Sequence, residues 1–211
     1  MISDTRIQAL SLKVGPLGEN DRLITVLSDQ EGISRFAVPR GRRPGSKLAT
    51  AAPLTFLDLL IGGRSKLKRV KHITVLKSYS KLGQRLETLA AAQTLTELCL
   101  LLVGSNDPIP GMLKTLLIHL DRLEEVKEAE ESERLKTIAK GVQACIHLLA
   151  LGGYGLPIQK CCLTEEPLEP PLGDWNWRCT LIPSEGFAIG KIPKASLQLN
   201  ASELALLQRL L

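Results

Sequence analysis

Ile33-Ser34-Arg35-Phe36-Ala37-Val38 runs directly into Pro39-Arg40-Gly41-Arg42-Arg43-Pro44-Gly45-Ser46-Lys47. The first six residues read as a short strand. The stretch from Arg40 to Lys47 holds four cations in eight residues and no acid. Pro39 and Pro44 together with Gly41 and Gly45 break any helix or strand from Pro39 to Lys47. Gly41 and Gly45 are expected to supply unusual backbone angles, and Pro39 and Pro44 to stiffen the turn. A cationic loop held between strands presents charge to phosphates, so the loop reads as a contact with a nucleic acid backbone. The competing reading is a solvated basic surface with no partner.

Strands flank the loop on both sides. Residues 5–14 alternate apolar and polar, with a phase slip near Leu10 that marks a bulge. Gly15-Pro16-Leu17-Gly18 reads as a turn, and residues 22–28 as a second strand closed by Asp29-Gln30-Glu31-Gly32. Residues 54–61 and 70–77 supply the fourth and fifth strands. Five short strands separated by Gly, Pro and Asp in about 80 residues predict a small antiparallel barrel or sandwich. With a cationic face, the barrel fits an OB-fold.

Beyond Ser80 the period changes to that of helices. Leu82, Leu86, Leu89, Ala90, Leu98, Leu101 and Leu102 mark a first helix, which Asn106-Asp107-Pro108 stops. Ile109, Met112, Leu113, Leu116, Leu117, Leu120, Leu123 and Val126 form the apolar stripe of a second. A third, over roughly 133–151, is expected to point Leu135, Ile138, Val142, Ile146 and Leu149 inward. Residues 156–194 read as irregular, with six prolines, Cys161, Cys162, Cys179 and two tryptophans. Asn200 and Glu203 form a capping box for a last helix, and the chain stops inside its apolar stripe at Leu211. The fold class is therefore α+β: an OB-type barrel over 1–80, then a helical domain over 81–211 with an irregular insert at 156–194, expected to be incomplete at its C-terminus.

Charge follows the same division. Residues 1–82 carry 15 Lys+Arg and 6 Asp+Glu, a net +9, whereas residues 83–211 carry 12 and 16, a net −4. A second basic cluster, Arg64, Lys66, Lys68, Arg69 and Lys71, lies between the fourth and fifth strands. Lys66, Lys68 and Arg64 would share one edge while Leu67 and Val70 point inward. In a five-stranded barrel the loops between strands 1–2 and 4–5 line the binding face. The candidate nucleic-acid-binding residues are thus Arg40, Arg42, Arg43, Lys47, Arg64, Lys66, Lys68, Arg69 and Lys71. The alternative for the second cluster is a set of edge lysines that guard against aggregation. Aromatics make up only 3% of the chain, so backbone electrostatics must carry more of the affinity than base stacking.

Several functions are excluded or disfavoured. Gly41-Arg42-Arg43-Pro44-Gly45-Ser46-Lys47 fails the phosphate-loop pattern, because its second glycine comes one residue early and Ser precedes Lys. Cys161, Cys162 and Cys179 lack the paired spacing of a zinc site, so no cofactor is expected. His72, His119 and His147 are scattered, and no catalytic constellation stands out, so the chain reads as a non-enzyme. Met1-Ile2-Ser3-Asp4 has no apolar signal core, and no stretch reaches the ~20 apolar residues of a membrane span. Five cysteines without a framework suit a reducing cytosol.

The order of the motifs is also specific. Gly18-Glu19-Asn20-Asp21-Arg22-Leu23-Ile24-Thr25-Val26-Leu27, then Glu31-Gly32, then Val38-Pro39-Arg40-Gly41-Arg42-Arg43 with Ser46, then Ala52-Pro53-Leu54, resembles the N-terminal half of the RecO family of bacterial recombination mediators. Leu149 to Pro157, followed by Cys161 and Thr164, is similar to the family's helix end and cysteine-bearing segment. The resemblance implies an N-terminal OB-fold, a helical domain and, in some members, a four-cysteine zinc site, of which the second half is missing here. It implies a cytoplasmic, nucleoid-associated protein that binds single- and double-stranded DNA and anneals complementary strands. It further implies help in loading RecA, with RecR and the acidic tail of single-strand-binding protein as partners. An RNA-binding module or interaction scaffold on the same barrel is the alternative.

Overall fold

The computed structural model describes residues 4–43, 45–46, 48–63, 66–126, 131–192 and 197–210. The chain divides into two compact units, Met1–Gly152 and Gly153–Leu211. The expected boundary near residue 80 falls inside the first.

The first unit begins with five strands, β1 (Thr5–Leu17), β2 (Asp21–Ser28), β3 (Gly32–Val38), β4 (Thr55–Gly62) and β5 (Arg69–Ser78). They close a barrel in the order β1-β2-β3-β5-β4, every pair antiparallel except β3 with β5. β1 serves two neighbours: residues 5–11 pair with β4, and residues 10–17 pair with β2. A register shift between Ser11 and Lys13 bends it from one to the other, the bulge that the phase slip announced. Of the stretch read as a turn at 15–18, Gly15, Pro16 and Leu17 are instead the end of β1, opposite Leu23, Arg22 and Asp21, and the turn starts at Gly18. Beyond Ser11 that strand has one neighbour only, the setting in which a proline without an N–H is tolerated.

Two cores explain why the strands do not alternate cleanly. Ile7, Ala9, Ile24, Val26, Phe36, Val38, Leu57, Leu59, Ile61 and Val70 fill the barrel. Leu10, Leu12, Leu27, Ile33 and Leu54 leave it and join a second core with Tyr79, Leu82 and the helices that follow. A strand buried on both faces loses its polar alternation.

After a 3-10 turn at Ser80–Gln84 come α1 (Leu86–Leu102), α2 (Met112–Glu124) and α3 (Glu131–Leu151). The α2 stripe is as expected: Met112, Leu113, Leu116, Leu120 and Leu123 are buried. The faces of the other two helices differ from the expectation. α1 buries Thr88, Ala92, Leu95, Thr96 and Cys99, while Leu86 and Leu101 are exposed. α3 buries Thr137, Ala144 and Leu148 and leaves Leu135, Ile138 and Val142 in solvent. Small residues decide the matter. A Cβ on Gly141 would sit 3.4 Å from Cβ of Ala91, so the two helices meet where side chains are smallest.

Lys77 and Tyr79 tie the end of β5 to α2. Asp121 accepts from both Tyr79 Oη and Lys77 Nζ at 2.7 Å, and Lys77 lies 4.6 Å over the Tyr79 ring. Between α2 and α3, His119 Nε2 lies 3.0 Å from His147 Nδ1. Burial, with His147 and Arg122 nearby, lowers the His119 pKa to about 4. An ordinary histidine titrates near 6.5, so the unfolded chain binds the extra proton first. Stability from this site is complete above about pH 6.5 and is lost as pH falls from there towards 4. A pH series of urea melts is expected to show a loss on the order of 1–3 kcal/mol over that window. His119→Gln should flatten it, and an equal slope in the variant would assign the loss elsewhere.

In the second unit, β6 (Cys179–Ile182), β7 (Gly186–Ile189) and β8 (Leu197–Leu199) form a sheet in the order β7-β6-β8, followed by α4 (Ala201–Leu210). The segment read as irregular therefore contains a hairpin. Its strands are four residues each, too short for period-2 alternation to stand out among prolines. Ile158, Cys161, Leu168, Cys179, Phe187, Ala188 and Leu204 are its core. The expected capping box is formed: Asn200 Oδ1 accepts from Glu203 N at 2.9 Å, and Glu203 Oε2 accepts from Asn200 N at 2.8 Å.

Candidate nucleic-acid interface

The loop after β3 is laced onto the turn between β1 and β2. Arg40 N donates to Asp21 Oδ1 at 2.8 Å, and Arg42 N donates to Asn20 O at 3.0 Å. Arg42 Nη1 reaches Gly18 O at 3.2 Å, and Arg43 Nε reaches Asn20 Oδ1 at 3.1 Å. Short turns continue the loop, with Arg43 N on Arg40 O and Ser46 N on Arg43 O. Arg22, half-buried at the start of β2, anchors the far side by donating to Ala51 O at 3.0 Å. The backbone is therefore held by its own hydrogen bonds, while the side chains of Arg40, Arg42 and Arg43 remain exposed.

One of the two glycines works as expected and the other does not. Gly45 has φ +76, but the other left-handed residue is Arg40, at φ 54. Gly41 is needed for space instead: a Cβ there would lie 3.1 Å from Val38 O and Val38 Cγ1 and 3.2 Å from Arg22 Cγ. The Asp21 carboxylate, bonded to the Arg40 N–H, compensates a backbone conformation that non-glycine residues rarely adopt.

The second cluster lies beside the first. Ala37 N donates to Lys68 O at 3.0 Å, which sets the start of β5 against the end of β3. Lys66, Lys68, Arg69 and Lys71 are all exposed. Lys71 is paired with Asp4 at 2.7 Å, and Lys68 lies 3.5 Å from Glu31. Among the described residues Arg40, Arg42, Arg43, Lys66 and Arg69 have no carboxylate within ion-pair distance. Lys47 and Arg64 lie outside the described residues. Val70, expected inward, is buried in the barrel, whereas Leu67 is half-buried. Sequence reasoning missed Asp21 and Arg22 as the residues that position the loop; the signal was two charged residues opening an apolar strand.

The five cysteines are free thiols. Cys161 Sγ accepts from Ile189 N at 3.4 Å. Burial pushes its thiol up, but hydrogen bonds from the Thr164 side chain and from the N–H groups of Ile189, Leu163 and Thr164 outweigh that and bring it down to about 7. Burial pushes Cys162 and Cys179 up. No group of three or more His, Cys, Asp or Glu among the described residues is arranged to hold a metal ion. No helix of the described residues is long and apolar enough to cross a membrane.

Fold and site together define an OB-type barrel with a basic loop at one end, joined to a helical bundle. Residues 1–79 match the family model Recombination protein O N terminal, and residues 83–211 match Recombination protein O C terminal. The chain belongs to the RecO family. It is 61% identical over 211 residues to the DNA repair protein RecO of Prochlorococcus marinus (strain MIT 9303), covering 100% of this chain and 79% of that one. It is 59% identical over 209 residues to the protein of the same name from Synechococcus sp. (strain CC9605), covering 99% and 79%. The protein of that name from Nostoc sp. (strain PCC 7120 / SAG 25.82 / UTEX 2576) is 35% identical over 170 residues, covering 80% and 56%.

Proposed function

We propose that this chain is a DNA repair and recombination mediator that binds single- and double-stranded DNA through Arg40, Arg42, Arg43, Lys47, Arg64, Lys66, Lys68, Arg69 and Lys71. The observation that carries this reading is a loop whose backbone is pinned and whose three arginines are exposed without acid partners. Cations already arranged in solvent lose little order when phosphates displace their counterions. Two complementary strands repel each other, and a cationic face that screens both favours annealing. The protein acts by binding, without bond chemistry of its own, in the cytoplasm at the nucleoid.

The family resemblance adds RecA loading with RecR and binding of the acidic tail of single-strand-binding protein. For the tail, support comes from a groove of about 490 Å³ between α1 and α3, lined by Leu86, Ala90, Ile138 and Val142 and by Arg134, which lies 3.6 Å from Glu87 in the same lining. The apolar lining suits the apolar side chains of such a peptide, and Arg134 would exchange Glu87 for one of its acids.

Binding of single-stranded DNA, duplex DNA and RNA of equal length, each titrated with salt, tests the proposal. Five exposed cations without acid partners predict a log–log slope of about three to four for single strands, at ~0.7 per contact. The affinity should depend little on sequence. A flat salt response would remove the electrostatic reading, and a clear preference for RNA would move the chain to the RNA-binding alternative.

A further inference from the structure

Beside the basic loop lies a hollow of about 490 Å³, and Arg42 of that loop is part of its lining. It lies among the end of β1, the start of β2 and the loop that leads into β4, and its lining includes Val14, Pro16, Arg22, Arg42, Ala52 and Pro53. Its chemistry is mixed. Val14, Ala52 and the rings of Pro16 and Pro53 offer apolar surface, and two guanidinium groups offer flat, cationic surface. The Arg22 group is held in place by its bonds to Ala51 O at 3.0 Å and Ala49 O at 3.4 Å. Arg42 Nη1 donates to Gly18 O at 3.2 Å.

We propose that this hollow receives one unstacked nucleobase of a single strand whose phosphates lie on Arg40, Arg42 and Arg43. The inference rests on the DNA reading above and extends it from backbone to base. A phosphate needs only charge, and an apolar peptide has no use for two arginines. A nucleotide needs both: an apolar, planar base and an anion one bond chain away. Arginine planes stack on bases as aromatic rings do, which supplies the platform that a chain with 3% aromatics lacks. The volume lies within the ~300–1,000 Å³ usual for small-ligand sites. A base that is paired in a duplex cannot enter, so the pocket favours single strands and holds one base apart from its neighbours.

The test compares oligothymidine with an abasic oligomer of equal length and charge, by fluorescence anisotropy with the full chain across a salt series. The base-bearing strand is expected to bind about tenfold more tightly, with the same salt slope. Ala52→Leu, which fills the hollow without changing charge, should abolish the difference and leave the abasic affinity and its slope unchanged. Equal binding of both strands by the unaltered protein, with a steep slope, would overturn the pocket and leave the DNA reading standing. Binding of neither strand would overturn both. Should Ala52→Leu fail its melting control, the comparison of the two strands by the unaltered protein still decides.

Discussion

Replacing Arg40, Arg42 and Arg43 together with alanine is expected to cut the salt slope of single-strand binding by about two units, three contacts at ~0.7 each. For duplex the loss should approach three units. Annealing should slow in step, since it needs two strands on one cationic surface. The fold should survive. All three side chains are exposed, and the bonds that shape the loop run from backbone N–H groups to Asp21 Oδ1, Asn20 O and Arg40 O, which alanine keeps. The side-chain bonds to Gly18 O and Asn20 Oδ1 are solvent-exposed and are worth about 1 kcal/mol or less each. Alanine at position 40 meets the same left-handed backbone as arginine, so no new strain arises. The triple lysine variant should retain the slope, because counterion release counts charges rather than forks. Affinity and annealing rate against salt are the measurements, with thermal melting as control. An unchanged slope in a folded variant would move the interface to Lys66, Lys68 and Arg69.

The largest effect on stability is expected from Gly32→Ala. Gly32 starts β3 at φ +64, and a Cβ there would lie 2.9 Å from both Gly104 O and Asp107 O. Those oxygens belong to the chain just past α1, which is bound to β3 through the Ile33 N to Gly104 O hydrogen bond at 3.1 Å. Left-handed backbone costs alanine about 1–2 kcal/mol, and forcing apart two packed backbones costs about 1–3 kcal/mol more. Urea melts should show a loss of about 2–5 kcal/mol. Gly83→Ala is the control: it has no left-handed φ and nothing within 4 Å of the added carbon. It should change stability by no more than about 0.5 kcal/mol. Equal stability of the two variants would mean that β3 and the 104–107 segment do not meet as described.

Much of the fold was legible because its signals are local. Four of the five strands lie within one residue of where short β-rich runs bounded by Gly, Pro and Asp placed them, and β1 runs three residues further than expected. The α2 stripe and the Asn200–Glu203 capping box depend on residues three or four apart. Charge clustering likewise placed three exposed arginines on one loop. The faces of α1 and α3 were not legible. α1 carries leucines on every side, so leucine spacing could not select a face, and small residues at Ala91 and Gly141 decided it. Nor could the sequence pair Asp21 and Asn20 with a loop about twenty residues on, or bring His119 to His147 across two helices. Arg40 rather than Gly41 takes the left-handed angle because Asp21 meets its N–H, a contact that exists only once β2 and β3 lie side by side. The residue types and their order determined the elements and the charge of the loop. Tertiary packing decided which faces meet and which cations remain unpaired, because both depend on contacts between segments far apart in the chain.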